Sequence, residues 1–359
     1  MKCTSIVLFA VLALGTTQAV ADDTFFIGVD SNLDGPAARN GIELALAEIN
    51  AAGGVLGRKL EVLYADNPCD PASRTPPLAK ISLLIGESCT QSHDKLPHLV
   101  ENSASPWLSA DTDPEPNDRS FQISPPSKAL ADGFIETLKQ QNAQKIALVG
   151  DDDPRSRATA DLFADAITAA GMQIVAQETI PLGATDFAPL LVRLMASAPD
   201  HVVVSGLDHS TAGFFSHYEL FNWRIPIAGC FDLAAARDAV TPQFLADGGL
   251  QGVESLQIFS TALPIQPARA FVGEYVERFD AKPDQHSFYA YQAIYLIADS
   301  LRRAASDAPA DILAALRATT MPAMSGGTFT FDAHHIAHPD AVVTTIRDGH
   351  IIVMALLKT

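Results

Sequence analysis

The sequence reads as an α/β protein built from two mostly parallel sheets, each flanked by helices. Strand and helix signals alternate almost without a break through residue 206. The strands are short, continuous apolar runs, the pattern of strands buried on both faces, and short loops join each strand to its helix. At 359 residues the chain is long enough for about two such sheets, and 48% hydrophobic residues suffice to fill their cores, which excludes a disordered chain.

The amino-terminal segment stands outside this rhythm. Lys2, an apolar run over 6–14 and Ala19-Val20-Ala21 before Asp22 form the pattern of a secretory signal peptide, 1–21. Cys3 precedes the apolar run, so it leaves with the signal and is not a lipid-bearing cysteine. No later apolar run approaches the ~20 residues of a membrane helix. The mature chain is therefore expected to be exported, soluble and not inserted in the membrane.

The first strand is expected at 25–30, with a helix following to 51 because Ile42, Ala45, Leu46 and Ile49 recur at helical spacing. Gly53, Gly54 and the pair Arg58-Lys59 come next, which raises the question of a phosphate cradle. The order argues against it: anions bind at a helix amino terminus, whereas glycines after the last turn supply a left-handed cap. A strand at 60–66, a helix at 94–103, a strand at 107–110 and a helix at 128–142 continue the series, with the acidic, proline-rich stretch 111–117 as a surface loop. Strands at 145–150, 173–180 and 202–206 then alternate with helices at 158–170 and 187–198. The last third breaks the rhythm: helices at 268–279, 287–305 and 310–318 run in succession before strands at 328–331, 341–347 and 350–356, so the chain should return to the first sheet before ending on the second.

A formal charge of -18 and pI near 4.8 exclude nucleic-acid binding, which needs a basic stripe, and disfavour anionic membrane surfaces. The sequence contains no G-x-S-x-G elbow, Walker loop, dinucleotide fingerprint or H-E-x-x-H helix, so neither an enzyme nor a cofactor is expected. Asp332, His334, His335 and His338 could ligate zinc or copper, but adjacent imidazoles on a strand point to opposite faces, and a solvated hairpin turn is the preferred reading. Asp151-Asp152-Asp153 is read as a solvated charge run. No metal site is expected. Of the mature cysteines, Cys69 and Cys89 both follow strands that should be neighbours and are the expected disulfide, which leaves Cys230 as a buried thiol.

Ligands of parallel sheets gather where strands end and helices begin. Those loops hold Thr90 and Gln91, Ala110 to Thr112, Asp151 to Arg155, Asp208 with His209, and Phe231 with Asp232. Hydroxyls, amide N–H groups and one arginine suit the holding of a small polar molecule, with little to attack it.

The stretches "NGIELALAEINAAGGVLGRKLEVLYADNPCDP", "IGESC", "DTDPE", "KIALVGDDD", "DFAPLLVRLMASAPDHVVVSG" and "GGTFTFD" resemble the branched-chain amino-acid binding proteins, the type I periplasmic solute receptors of ATP-driven importers. The resemblance spans nearly all of the mature chain. It implies two α/β lobes joined by three crossings, a ligand in the cleft between them, closure on binding, and a disulfide between Cys69 and Cys89. It also implies a membrane permease as partner and a monomer in solution. We place lobe I at 22–122 plus 258–328 and lobe II at 124–257 plus 329–359.

Carried across, the family's carboxylate contacts fall at Thr90 with Gln91 beside it, and its ammonium contacts at Ala110 and Thr112. Its aromatic wall falls on Arg155 and Leu207, next to Asp208, and its acidic residue on Phe231, with Asp232 adjacent. The loop "SNLDGPAARNG" is shorter than the family's form and lacks an aromatic lid, and Pro76-Pro77 should break the helix between the paired cysteines. The fork of donors on Arg155 matches a carboxylate, so an Arg155 that faces the cleft favours an acidic amino acid or small dicarboxylate over leucine; a surface arginine paired with Asp152 or Asp153 is the alternative. A ligand-binding sensor of the same fold is the alternative, with an exported enzyme a poorer third.

Overall fold

A computed structural model describes residues 24–30, 35–65, 81–86, 107–109, 119–207 and 210–358. The signal peptide, Cys69, Cys89, the helix expected at 94–103 and the loop 111–117 lie outside the described residues.

Two separate sheets organise the chain. The first has the order β2-β1-β3-β4-β5, all parallel, from β1 (Thr24–Asp30), β2 (Lys59–Ala65), β3 (Ile81–Gly86), β4 (Trp107–Ser109) and β5 (Ser120–Gln122). The second has the order β14-β13-β10-β9-β8-β6-β7. Its parallel part comprises β6 (Lys145–Asp151), β7 (Gln173–Ile180), β8 (His201–Gly206), β9 (Ile227–Gly229) and β10 (Val253–Gln257). The antiparallel edge is β13 (Ala341–Arg347) against β10 and β14 (His350–Leu357) against β13. A small ribbon pairs β11 (Thr320–Pro322) with β12 (Thr328–Thr330).

The valines of β8 show why its sequence is apolar throughout rather than alternating. Val202 and Val204 pack into one core cluster with helices α4 (Ala188–Ala196) and α5 (Thr211–Leu220). Val203, on the opposite face, packs into another with α2 (Ser127–Gln140) and α3 (Pro154–Ala169). Each fully buried valine contributes about 1.5–3 kcal/mol, so a polar residue on either face would be costly.

Helix α1 (Pro36–Ala51) settles the phosphate question. Gly53 and Gly54 take φ of 98° and 75° past its last turn, and the Gly54 amide donates to the Ile49 carbonyl at 2.9 Å. A Cβ at Gly54 would lie 2.0 Å from the Arg58 carbonyl oxygen, so glycine is required for the close turn. Asn50 then clamps the returning strand: its Oδ1 accepts from the Leu60 amide at 2.8 Å, and its Nδ2 donates to the Leu60 carbonyl at 2.9 Å. Arg58 is occupied as well, paired with Asp307 at 2.7 Å and stacked over Phe25 at 3.6 Å.

The three successive helices, α8 (Gln266–Phe279), α9 (Gln285–Ala304) and α10 (Pro309–Arg317), return to the first sheet and share its core. Two tyrosines of α9 fasten it to α1. Tyr291 donates to Glu48 at 2.6 Å, and Tyr295 donates to the same oxygen. Burial and the neighbouring carboxylate push Tyr295 up to about 12 and raise Tyr291 as well. Phe329, Phe331 and Ala337 also pack in the first core, and a bridge joins Gln122 to Ile336 before β13 enters the second sheet. The chain therefore passes between the sheets near 122–127, 257–263 and 337–341.

Helix α3 begins at Pro154, four residues ahead of the expected start at 158. Proline's fixed φ suits a first helical position, and the Asp153 carboxylate accepts from the Ser156 amide at 3.0 Å. Arg155 consequently stands in the first turn of a helix and not in a loop. The short helices α6 (Leu233–Asp238) and α7 (Pro242–Ala246) and strand β10 were not expected from the sequence.

Candidate functional site

The parallel strands of the second sheet end in three loops that the sequence had singled out. At the end of β6, Asp151 is buried, Asp152 pairs with Arg157, and Asp153 caps α3. At the end of β8, Leu207 is 0% exposed within the second core, and its carbonyl accepts from the Thr211 hydroxyl.

The loop after β9 is built most tightly. Gly229 has φ of 140°, and a Cβ there would lie 2.0 Å from the Val204 carbonyl oxygen. Cys230 is half-buried against the core. Phe231 is 3% exposed, its ring packed 5.2 Å from that of Phe215. Its carbonyl accepts from the Ser255 hydroxyl and from Gln257 Nε2, the latter at 3.0 Å. Asp232, next in the chain, is exposed and caps α6 through Oδ1, which accepts from the amides of Ala234 at 2.7 Å and Ala235 at 3.2 Å.

Asp232 opens onto a recess of about 480 Å³ between the two cores. Helix α6 forms its second-sheet wall, Gln257 and the passage Phe259 to Thr261 its back, and the stretch from Lys282 to His286, which ends the α8–α9 loop and begins α9, its first-sheet wall. The sequence did not point to Gln257 and Ser260, because β10 was not expected, nor to Lys282 and His286, which lie in the loop between two helices and at the start of the second. Asp284 in that loop is committed to α9, where it and Ser287 form a capping box.

Of the residues expected at the site, Asp232 lines this recess, whereas the side chains of Leu207 and Phe231 belong to the core beneath the loops. Thr90, Gln91, Ala110, Thr112 and Asp208 lie outside the described residues. The histidine-rich turn is elsewhere. Asp332 Oδ1 accepts from the amides of His334 at 2.8 Å and Ile336 at 2.9 Å, while Oδ2 meets His338 at 3.1 Å. Burial pulls Asp332 upward, but these bonds outweigh it and hold the carboxyl below its ordinary value. His335 stacks on Phe121 with ring centroids 4.3 Å apart, so the imidazoles diverge. Among the described residues no group of three His, Cys, Asp or Glu is placed to hold a metal ion, and no helix is long and apolar enough to cross a membrane.

Residues 24–350 match the family profile described as periplasmic binding protein. The chain belongs to that family. This periplasmic binding protein is 24% identical over 333 residues to the leucine-specific-binding protein of Salmonella typhimurium, covering 87% of this chain and 88% of that one. Its fold is similar to the branched-chain amino acid transporter substrate-binding protein of Streptococcus pneumoniae, solved with isoleucine, at TM-score 0.77 and 21% identity over 94% of this chain and 100% of that chain. A solute-binding protein of an ABC transporter from R. palustris, solved with benzoate, superposes at TM-score 0.75 with 17% identity, over 94% of this chain and 97% of that one. The family comprises solute-binding proteins and not enzymes.

Proposed function

We propose that the protein is the periplasmic receptor of an ABC importer, binding a small polar solute, an amino acid or organic acid, between two lobes and handing it to the membrane permease. The observation that carries this reading is the recess itself: one wall grows from the second sheet, the other from the helices on the first, and the chain passes between them at its back. A solute there would touch both lobes and favour their closure.

The first lobe is proposed as 22–122 plus 258–337, extended past 328 because Phe329, Phe331 and Ala337 pack in the first core, and the second as 124–257 plus 341–359, with export after removal of 1–21. Thr90, Gln91, Ala110 and Thr112 would hold the solute from the first lobe. Arg155, Asp208 and Asp232 would meet it from the second, with buried Leu207 and Phe231 backing their loops. The names of the relatives support both solute classes: leucine and isoleucine on one side, benzoate on the other.

A thermal-shift screen of amino acids, organic acids and their amides tests the reading. A ligand that binds only the folded form at 100 times its Kd stabilises by about 2.7 kcal/mol, a shift of several degrees. A screen in which no amino acid or organic acid moves the melting temperature would overturn it.

A further inference from the structure

Two of the three passages between the sheets run side by side and are fastened at their first-sheet end. The Gln122 amide donates to the His335 carbonyl and the Ala337 amide to the Gln122 carbonyl, both at 2.9 Å, a parallel bridge between the segment leaving β5 and the one leading to β13. The His335 side chain backs this clasp. Its ring stacks on Phe121 with centroids 4.3 Å apart and planes 13° apart, and its Nε2 accepts from Arg317 Nε at 3.1 Å. Arg317 ends α10, so one imidazole ties both passages to a helix of the first core. The backbone at His335 has φ of 63°, a conformation that residues other than glycine rarely adopt. A guanidinium only donates, so the imidazole can accept from it only while Nε2 carries no proton. The other charged groups of the turn are committed elsewhere. Asp332 Oδ1 holds the amides of His334 and Ile336 and Oδ2 holds His338, while the His334 side chain is exposed and β5 carries no charged residue.

We propose that His335 is a positioning residue of the hinge and makes it sensitive to acid: neutral, it locks the first and third passages together, and protonated, it turns a donor toward Arg317 and releases them. This rests on the two-lobe reading and gives its hinge a control point. Imidazole is the side chain that gains and loses a proton between about pH 5 and pH 8. The turn itself survives acid, because a proton on His338 strengthens its contact with Asp332. Acid therefore loosens the two passages from each other without unfolding the turn. With the passages loose, the arrangement that closes on a solute is less populated, and the apparent affinity falls in the same proportion. The receptor would hold its solute more weakly in acid than at neutral pH.

Amide hydrogen exchange followed by NMR on the full exported chain tests this without any solute, so its failure leaves the receptor reading standing. Protection of the Gln122 and Ala337 amides, corrected for intrinsic exchange and read against Val203 in the second sheet, should fall roughly 3- to 10-fold between about pH 7.5 and about pH 5.5. His335→Phe keeps a ring on Phe121 but takes up no proton, so its protection should stay level over the same range. Arg317→Met, a change at an exposed position, removes the opposing cation and should cut the parent's fall to roughly half or less, which decides the matter if the phenylalanine variant does not fold. Imidazole nitrogen shifts of the parent at about pH 7.5 should place the proton of His335 on Nδ1 and leave Nε2 bare. Level protection in the parent, an equal fall in either variant, or a proton on Nε2 at that pH would overturn the proposal.

Discussion

Gln257 donates from Nε2 to the carbonyl oxygen of Phe231, 3.0 Å away, and so fastens the β9–α6 loop to the last residue of β10. Beyond Gln257 the chain passes toward the first sheet, so this bond joins a ligand-side loop to a passage between the lobes. Gln257→Leu removes the donor, but the Ser255 hydroxyl still serves the same carbonyl. Stability should fall by about 1 kcal/mol, and solute affinity should fall with it as the Asp232 loop loosens. Denaturant melts and calorimetry on the same variant check the pair of effects; loss of neither would free Gln257 from this role.

Gly229→Ala should be far more damaging. The residue is in a strand but at φ of 140°, and its added Cβ would meet the Val204 carbonyl oxygen at 2.0 Å, inside the sheet. Relief requires β8 and β9 to part, at a cost of about 3 kcal/mol or more. Equilibrium unfolding in urea measures it, and a loss below about 1 kcal/mol would contradict the strain argument.

Glu254 should make stability depend on pH. Its carboxyl is buried on β10, and burial raises it above the ordinary carboxylate value, while a Gln141 hydrogen bond and His201 nearby pull it back only in part. The folded state thus holds this proton more firmly than the unfolded state does. The contribution is complete below the ordinary glutamate value and is lost as pH climbs through the raised one. Glu254→Gln keeps the shape without the titration, so it should be more stable than the parent at neutral pH and flatten the profile there. Melts between about pH 4 and pH 8 decide this; identical profiles for the two proteins would show that Glu254 does not titrate differently on folding.

We further expect a disulfide between Cys69 and Cys89, with Cys230 retaining its thiol. The bridge would close a loop of about twenty residues, worth on the order of 3 kcal/mol, and would steady a segment that carries Pro76 and Pro77. Peptide mass mapping of the exported protein should recover the linked peptides. Recovery of Cys230 in the bridge, or of both cysteines unpaired, would contradict it.

How far the sequence reveals the molecule depends on the range of the interactions. The stop of α1 at Gly53 and Gly54 is local chemistry and can be read directly, as can the doubly buried valines of β8. Helix α5 has its signal too, in Thr211, Phe214, Phe215 and Tyr218 at helical spacing, although an exposed Leu220 blurs it. The site is less legible. Leu207 and Phe231 do stand at strand ends, as expected, but packing at the strand end decides which side chains turn inward, and both turn into the core. Arg155 was read into a loop because the helix signal is strongest only after residue 158, whereas Pro154 starts it earlier. Lys282 lies in the α8–α9 loop and His286 in the first turn of α9, and only the return of the chain to the first sheet brings them opposite Asp232.

The central claim is that a small solute bridges the two lobes and draws them together. Small-angle X-ray scattering of the exported protein, with and without a saturating solute identified by thermal shift, tests it most directly. The account predicts a smaller radius of gyration in the bound form, reversed when the solute is removed. A bound protein whose scattering curve is unchanged would contradict closure around a ligand held between the lobes.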